Sequence, residues 1–200
     1  MKALKTTVAA AFLLLSGFAN AADDTAARQI VEKLHETLLA AMKGATQMGY
    51  KGRVELLTPV IESSFDFDSI CRIVTGRYWK DASSEQRARF IATFKQLSVA
   101  TYAANFSSFS GEKFHTESSE TDHDALIVRT TLTPADGEPI TLNYLLRPSN
   151  GVWRIINVVA QGVSDLSLKR ADYTAVIKTE GLDSLTNRLD KKIAELGKGS

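Results

Sequence analysis

Strand-like runs that alternate with turn signals fill the second half of the chain, and this pattern limits the fold more than any other feature. The runs are rich in β-branched and aromatic residues and occupy residues 125–133, 140–146 and 152–160. Asp136-Gly137 and Asn150-Gly151 separate them, and both dipeptides favour tight hairpins. A more polar run, residues 112–120, comes first. The pattern therefore predicts an antiparallel meander of about four strands.

The first half has helical periodicity instead. Apolar residues recur at helical spacing over residues 26–48, and a shorter helix around residues 54–61 is interrupted or restarted at Pro59. Asp66 or Asp68 is predicted to cap a third helix, which ends at Gly76.

The clearest helix of the chain follows. Ser83 and Gln86 match a capping box, and an apolar stripe then runs on to Gly111. Two more helices are predicted after the strands, the last with an apolar stripe from Leu182 to Leu196. Helices, a meander and helices again predict an α+β domain, with helices packed over one face of a curved, mostly antiparallel four-stranded sheet.

The N-terminus has the pattern of a cleavable export signal. Lys2 and Lys5 precede a short apolar core at residues 7–15, and Ala19-Asn20-Ala21 matches a signal peptidase site. No later segment approaches the ~20 apolar residues of a membrane span. We expect residues 1–21 to be removed, residues 22–196 to form one exported domain, and residues 197–200 to be frayed.

The charge balance narrows the function classes. Without Lys2 and Lys5 the chain keeps 22 of its 24 basic residues against 23 acidic ones. A near-neutral chain without a basic block does not favour nucleic-acid binding, and it lacks the basic amphipathic face of a permanent membrane-surface protein. Cys71, the single cysteine, lies between apolar neighbours and is expected to be buried and inert.

No catalytic or metal-binding constellation stands out. His35, His115 and His123 are scattered, and Asp122-His123-Asp124 has the character of a solvated turn. Gly162-Val163-Ser164 is expected to lack the helix that a nucleophile elbow needs directly after it. The sequence therefore predicts a protein without enzymatic activity, cofactor or metal.

A series of motifs runs along residues 30–196 in a characteristic order. It includes Phe65-Asp66 with Gly76 and Trp79, then Gln86-Arg87 with Phe90 and Phe94, and finally Tyr144, Trp153, Gly162-Val163-Ser164, Gly181 and Leu185. Their order and spacing resemble those of the MlaC family of periplasmic lipid-binding proteins. Asn157 and Gln161 stand where the family often has Asp and Glu. The segments 102–106 and 109–112 are similar to the hopanoid-associated branch, HpnM, so phospholipid and hopanoid both remain possible as cargo.

The resemblance implies an NTF2-like, MlaC-like fold that encloses a deep apolar cavity for acyl chains. It implies a carrier whose bound lipid is cargo and not a cofactor. Its partners would be an outer-membrane lipid complex and an inner-membrane ABC transporter with an MCE domain. Each buried methylene contributes about 0.8 kcal/mol, so affinity needs no charged site.

Candidate lipid-binding residues are apolar side chains expected to face inward from both layers. They are Phe65, Ile70, Val74, Trp79, Phe90, Phe94, Leu97, Tyr102, Val128, Leu142, Tyr144, Ile155, Val158 and Val163. The residue pattern alone does not separate a hollow core from a filled one.

Two alternatives remain open. A small pocket enzyme, such as an isomerase or dehydratase, would need a polar residue that points into an apolar pocket, and His35, Asn143 and Asn157 are the candidates. A buried His35 beside a carboxylate would favour this alternative. A periplasmic interaction protein without a ligand would have a packed interior and a large exposed apolar patch.

Overall fold

The computed structural model describes the backbone of residues 16–198 and the side chains of residues 24–198. Five helices come first: α1 (Ser16–Lys43), α2 (Ala45–Ser64), α3 (Phe67–Thr75), α4 (Tyr78–Asp81) and α5 (Ser84–Asn105). The strands are β1 (Lys113–Asp122), β2 (Ala125–Thr133), β3 (Ile140–Ser149), β4 (Val152–Ala160) and β5 (Val163–Ser164). Helices α6 (Asp165–Glu180) and α7 (Leu182–Leu196) follow.

The strands form one antiparallel meander in the order β1-β2-β3-β4-β5. Asn150 and Gly151 both have positive φ angles, 52° and 77°, as the tight turn between β3 and β4 requires. The meander is confirmed, with the two-residue β5 as a fifth strand that the sequence did not predict.

A β-bulge turns two consecutive residues of β4 inward. Leu145 pairs with Asn157 and Leu146 pairs with Ile155, so Ile156 is the extra residue on β4. Ile155 and Ile156 are both buried as a result. Strict alternation would have left one of them on the outer face.

The helices pack over one face of this sheet. Helix α1 lies against β1, β2 and β4, and α2, α3 and α6 contact β4. Helix α7 packs outside α5 and α6. The predicted α+β class, with helices on one face of an antiparallel sheet, is therefore confirmed.

The predicted helix caps are present. Asp66 accepts a hydrogen bond from the Ser69 amide at the start of α3, and Gly76 ends that helix with a φ of 58°. Ser83 and Gln86 form both bonds of the capping box. Helix α5 ends at Asn105, earlier than predicted.

The boundaries of the first two helices differ from the predicted ones. Helix α1 ends at Lys43, and α2 runs to Ser64 without a restart at Pro59. The interruption lies at Gly49 instead, where a φ of 59° kinks the chain.

Most of the predicted export signal, residues 1–15, lies outside the described residues, as do residues 199 and 200 of the tail. The boundaries at residues 21 and 196 stay predictions. None of the helices in the described part of the chain is both long and apolar enough to span a bilayer.

Candidate ligand-binding cavity

An apolar cavity of about 270 Å³ lies between the sheet and helices α3, α5 and α6. Its deep end is formed by buried residues, including Phe67, Phe94 and Tyr144. Asn105 and Asp165 are exposed at the opposite end, between the C-terminus of α5 and the N-terminus of α6. The cavity therefore has a closed apolar end and an open polar rim.

Alternate residues of two neighbouring strands form the sheet wall. Leu142 and Tyr144 of β3 are paired with Ala160 and Val158 of β4, and all four line the cavity together with Ile156. Side chains two apart on a strand share a face, so the meander gathers these residues without a special sequence motif.

Helix α5 and the segment that enters α3 supply the opposite wall. Phe94, Leu97 and Tyr102 face the cavity from α5, while Phe65 and Phe67 face it from the chain before α3. The ring centroids lie 5.9 Å apart for Phe65 and Phe67, 6.0 Å for Phe65 and Tyr102, and 6.1 Å for Phe67 and Phe94. These contacts are in the range of favourable aromatic pairs, so the wall is a connected layer of rings.

A polar cleft of about 210 Å³ lies near the same two phenylalanines. Arg154 lines it and donates to the carbonyls of Glu62 at 3.3 Å and Ser63 at 2.7 Å, which end helix α2. Asp66 also lines it and caps α3. Arg154 and Asp66 therefore serve the two helix ends that meet at this cleft.

The structure brings eight of the predicted binding residues to the cavity. They are Phe65, Ile70, Phe94, Leu97, Tyr102, Leu142, Tyr144 and Val158. Contact with lipid stays a prediction for each of them.

The other six predicted residues lie elsewhere. Val74, Phe90, Val128 and Ile155 are fully buried in the packed core. Val128 is on the cavity face and pairs with Tyr144, but it lies on β2, against which α1 packs. Trp79 packs under the guanidinium of Arg87, 5.5 Å from its ring centroid. Val163 is 51% exposed on β5, because this short strand lies at the edge of the sheet.

Sequence reasoning missed the polar side of the cavity. Ser98, Thr101 and Asn105 line it from one face of α5, at spacings of three and four residues. Asp165 and Lys169 line it from the first turns of α6. The helical spacing on α5 was a usable signal, whereas the approach of α6 to α5 has no local signal. Phe67, Phe106, Ile156, Asn157, Ala160 and Leu166 were also missed.

Asp165 and Lys169 form an ion pair at the rim. Their side chains are 57% and 30% exposed. Burial raises the pKa of the Tyr102 and Tyr173 hydroxyls above their usual value, and the carboxylate of Asp165 raises it further. Both phenols are therefore neutral at physiological pH.

The turn before α6 corrects one prediction. Helix α6 begins at Asp165, directly after Gly162-Val163-Ser164, so the expectation that no helix follows this turn was wrong. Ser164 nevertheless has a structural role. Its hydroxyl accepts a hydrogen bond from the Ser167 amide at 3.1 Å and donates one to Asn157 Oδ1 at 3.2 Å. Asn157 also accepts from the Leu166 amide at 3.2 Å, so its side chain ties β4 to the start of α6.

His35 is buried, but it has no carboxylate beside it among its described contacts. Its Nε2 lies 2.9 Å from the Tyr144 hydroxyl, and its ring stacks on Phe114 with centroids 4.0 Å apart. Burial lowers the pKa of His35 to about 4. A group with this pKa is a poor general base at neutral pH. His35 therefore lacks the carboxylate partner that would favour the pocket-enzyme alternative, whereas Asn157 does line the cavity.

The remaining candidate groups have ordinary environments. Cys71 is buried, and burial raises the pKa of its thiol above the usual range. His123 is exposed in a turn and hydrogen-bonded to Asp122 at 2.8 Å. Within the described residues, no group of three or more potential metal ligands comes together.

Comparisons with known proteins match this chain over most of its length. The family model described as MlaC protein matches residues 32–191. The intermembrane phospholipid transport system binding protein MlaC of Haemophilus influenzae is 29% identical over 127 residues, which are 61% of this chain and 59% of that protein. The toluene tolerance protein ttg2D of Pseudomonas putida is 25% identical over 186 residues, or 92% of this chain and 83% of that protein.

A solved structure has the same fold. The phospholipid-binding protein of Ralstonia solanacearum, in complex with a phospholipid, superposes with a TM-score of 0.74 over 87% of this chain and 98% of its own. At 22% identity this similarity speaks for the fold alone. The family model, in contrast, covers well over half of the chain. The chain belongs to the MlaC family.

Proposed function

We propose that this protein is a periplasmic carrier that binds a phospholipid in the cavity and moves it between the two membranes. The observation that carries the proposal is the cavity of about 270 Å³, with apolar walls at its closed end and a polar rim at its open end. An amphiphile is the ligand that suits this arrangement, because its acyl chain leaves water while its headgroup stays at the surface. Family membership and the names of the relatives add support.

The size of the cavity bears on how a lipid would be held. Its volume is just below the range of about 300–1,000 Å³ that is typical of small-molecule sites. We expect one acyl chain to fill the cavity, and a second chain to require movement of the aromatic wall. Burial at about 0.8 kcal/mol per methylene makes even partial insertion of a chain favourable.

Location and partners belong to the same proposal. A carrier between membranes works in the periplasm, to which the signal-like residues 1–21 would direct the chain. The partners would be an outer-membrane lipid complex and an inner-membrane ABC transporter with an MCE domain. Intact-mass analysis of periplasmic protein tests the location, and cleavage after Ala21 is the expected result.

Lipid content is the direct test of function. Protein isolated from the periplasm should yield about one phospholipid per chain after organic extraction and mass spectrometry. Recovery of a hopanoid instead would change the cargo and keep the carrier. Purification of the protein without any lipid, with no uptake from phospholipid vesicles, would refute the proposal.

A cavity-filling substitution provides the matched variant. Ala160 lines the cavity from β4, so Ala160→Trp places an indole in the space of the acyl chain. Thr141→Trp is the control, because Thr141 is exposed on the neighbouring strand. We expect Ala160→Trp to lose most of its bound lipid and Thr141→Trp to retain it, with both variants checked for cooperative thermal unfolding. Equal lipid content in the two variants would place the lipid elsewhere.

A further inference from the structure

We propose that the rim of the cavity is a headgroup subsite that selects a phosphodiester carrying a primary amine. In this arrangement Lys169 binds the phosphate and Asp165 binds the ammonium. The inference rests on the proposed function, since it concerns the part of the lipid that stays outside the apolar space.

The charged residues of the cavity lining lie together in the first turns of α6. Among the described residues that line it, Asp165 and Lys169 alone carry a formal charge. They lie one turn apart at the start of α6 and form an ion pair with each other. An acyl chain at the closed end therefore leaves the headgroup beside this pair.

Two backbone donors at the start of α6 are already occupied. The Leu166 amide donates to Asn157 and the Ser167 amide donates to Ser164. Both amides therefore already have acceptors that cap helix α6. Lys169 keeps donor capacity beyond its ion pair with Asp165, because an ammonium has three hydrogens.

The uncharged polar residues of the lining favour a cation. The Ser98 and Thr101 hydroxyls donate to the carbonyls of Phe94 at 2.9 Å and Leu97 at 2.7 Å, respectively. Their oxygens keep acceptor lone pairs, and both residues line the cavity. With the carboxylate of Asp165, they give a primary ammonium several acceptors within the same lining.

The balance of the two charges predicts the selectivity. A headgroup with one phosphate and one ammonium can exchange the internal ion pair for two new pairs. An anionic headgroup can pair with Lys169 but leaves Asp165 as an uncompensated negative neighbour. Exposed pairs of this kind change affinity by about two- to fivefold.

A headgroup competition tests the inference. Delipidated protein is offered equal amounts of palmitoyl-oleoyl phosphatidylethanolamine and phosphatidylglycerol, which share their acyl chains, and the bound ratio is read by mass spectrometry. We expect about two- to fivefold enrichment of phosphatidylethanolamine by the wild type. Asp165→Asn should abolish the enrichment or reverse it, and Lys169→Gln should lower the retention of both lipids.

Asp172→Asn and Lys178→Gln are the matched controls, since both side chains are exposed further along α6 and do not line the cavity. They should keep the wild-type ratio. If the wild type binds both lipids in the ratio supplied, and Asp165→Asn does the same, the headgroup subsite is refuted while the carrier function stands. If the wild type binds neither lipid, the carrier function itself fails.

Discussion

The buried histidine behind the cavity should make this protein sensitive to acid, and the effect can be worked out from its environment. His35 is 4% exposed and lies between the Tyr144 hydroxyl and the ring of Phe114. Burial lowers its pKa from 6.5 to about 4. The unfolded chain thus takes up a proton near pH 6.5, whereas the folded protein resists protonation until about pH 4.

The direction of the pH effect on stability follows from the difference between the pKa of His35 in the folded and the unfolded chain. Above pH 6.5 the imidazole is neutral in both states and has no pH-dependent effect. As the pH falls toward 4, protonation favours the unfolded chain, so the free energy of unfolding decreases. At about 1.4 kcal/mol per pKa unit, the loss reaches about 2 kcal/mol at pH 5 and about 3 kcal/mol at pH 4.

Urea unfolding of the wild type and His35→Gln, measured from pH 7 to pH 4, isolates this contribution. Glutamine can still hydrogen-bond to Tyr144 but does not titrate, so other titrating groups cancel in the comparison. His35→Gln should begin less stable at pH 7, because it loses the stacking on Phe114. It should then lose about 3 kcal/mol less than the wild type by pH 4.

His115→Gln supplies the control, because it makes the same substitution at an exposed histidine on β1 that lies outside the core. Parallel stability curves for the wild type and His35→Gln over the whole range would refute the reasoning. Such a result would mean that the folded protein accommodates a protonated His35 at little cost.

Three further predictions concern stability and binding. Arg53 is 3% exposed and donates to the Ala103 carbonyl at 2.8 Å. Arg53→Met should therefore lower the free energy of unfolding, measured in urea, by about 2 kcal/mol. An unchanged urea midpoint would contradict this. Ser83→Ala removes the capping box of α5 and should lower the free energy of unfolding, measured by thermal unfolding, by about 1 kcal/mol. Ser84→Ala, at the exposed neighbouring position, should lower it much less. Asn157→Asp keeps both acceptor bonds but adds a carboxylate to the cavity wall. Because this carboxylate repels an anionic headgroup, the variant should retain less phosphatidylglycerol in the competition assay. Undiminished retention would count against electrostatic control of the rim.

The fold was predictable where the signal is local. The Asp66 cap, the Ser83 capping box and the Asn150-Gly151 turn each depend on a few adjacent residues, and the structure has all three. Two strands, β2 and β4, begin and end at the predicted residues. The bulge at Ile156 was not predictable, because it depends on the register with β3 and not on the residues of β4 alone.

The candidate site was predictable in part. The sequence predicted inward-facing apolar residues on both layers, and Leu97, Tyr102 and Leu142 are among those that line the cavity. It also predicted Val163, which faces solvent because β5 pairs only with β4 at the sheet edge. Hydrophobicity predicts burial on average, but it does not predict which buried residues border a cavity.

The sequence by itself determined the family, the order of the elements and the apolar character of the interior. Only the tertiary structure decided that the interior is hollow, and that Asp165 and Lys169 lie at the open rim of the cavity that Ser98 and Thr101 also line. Caps, turns and periodicity act within one element, so they can be read along the chain. A cavity is a gap left between elements that are distant in sequence, and its charges are set by where helix α6 lies against α3 and β4.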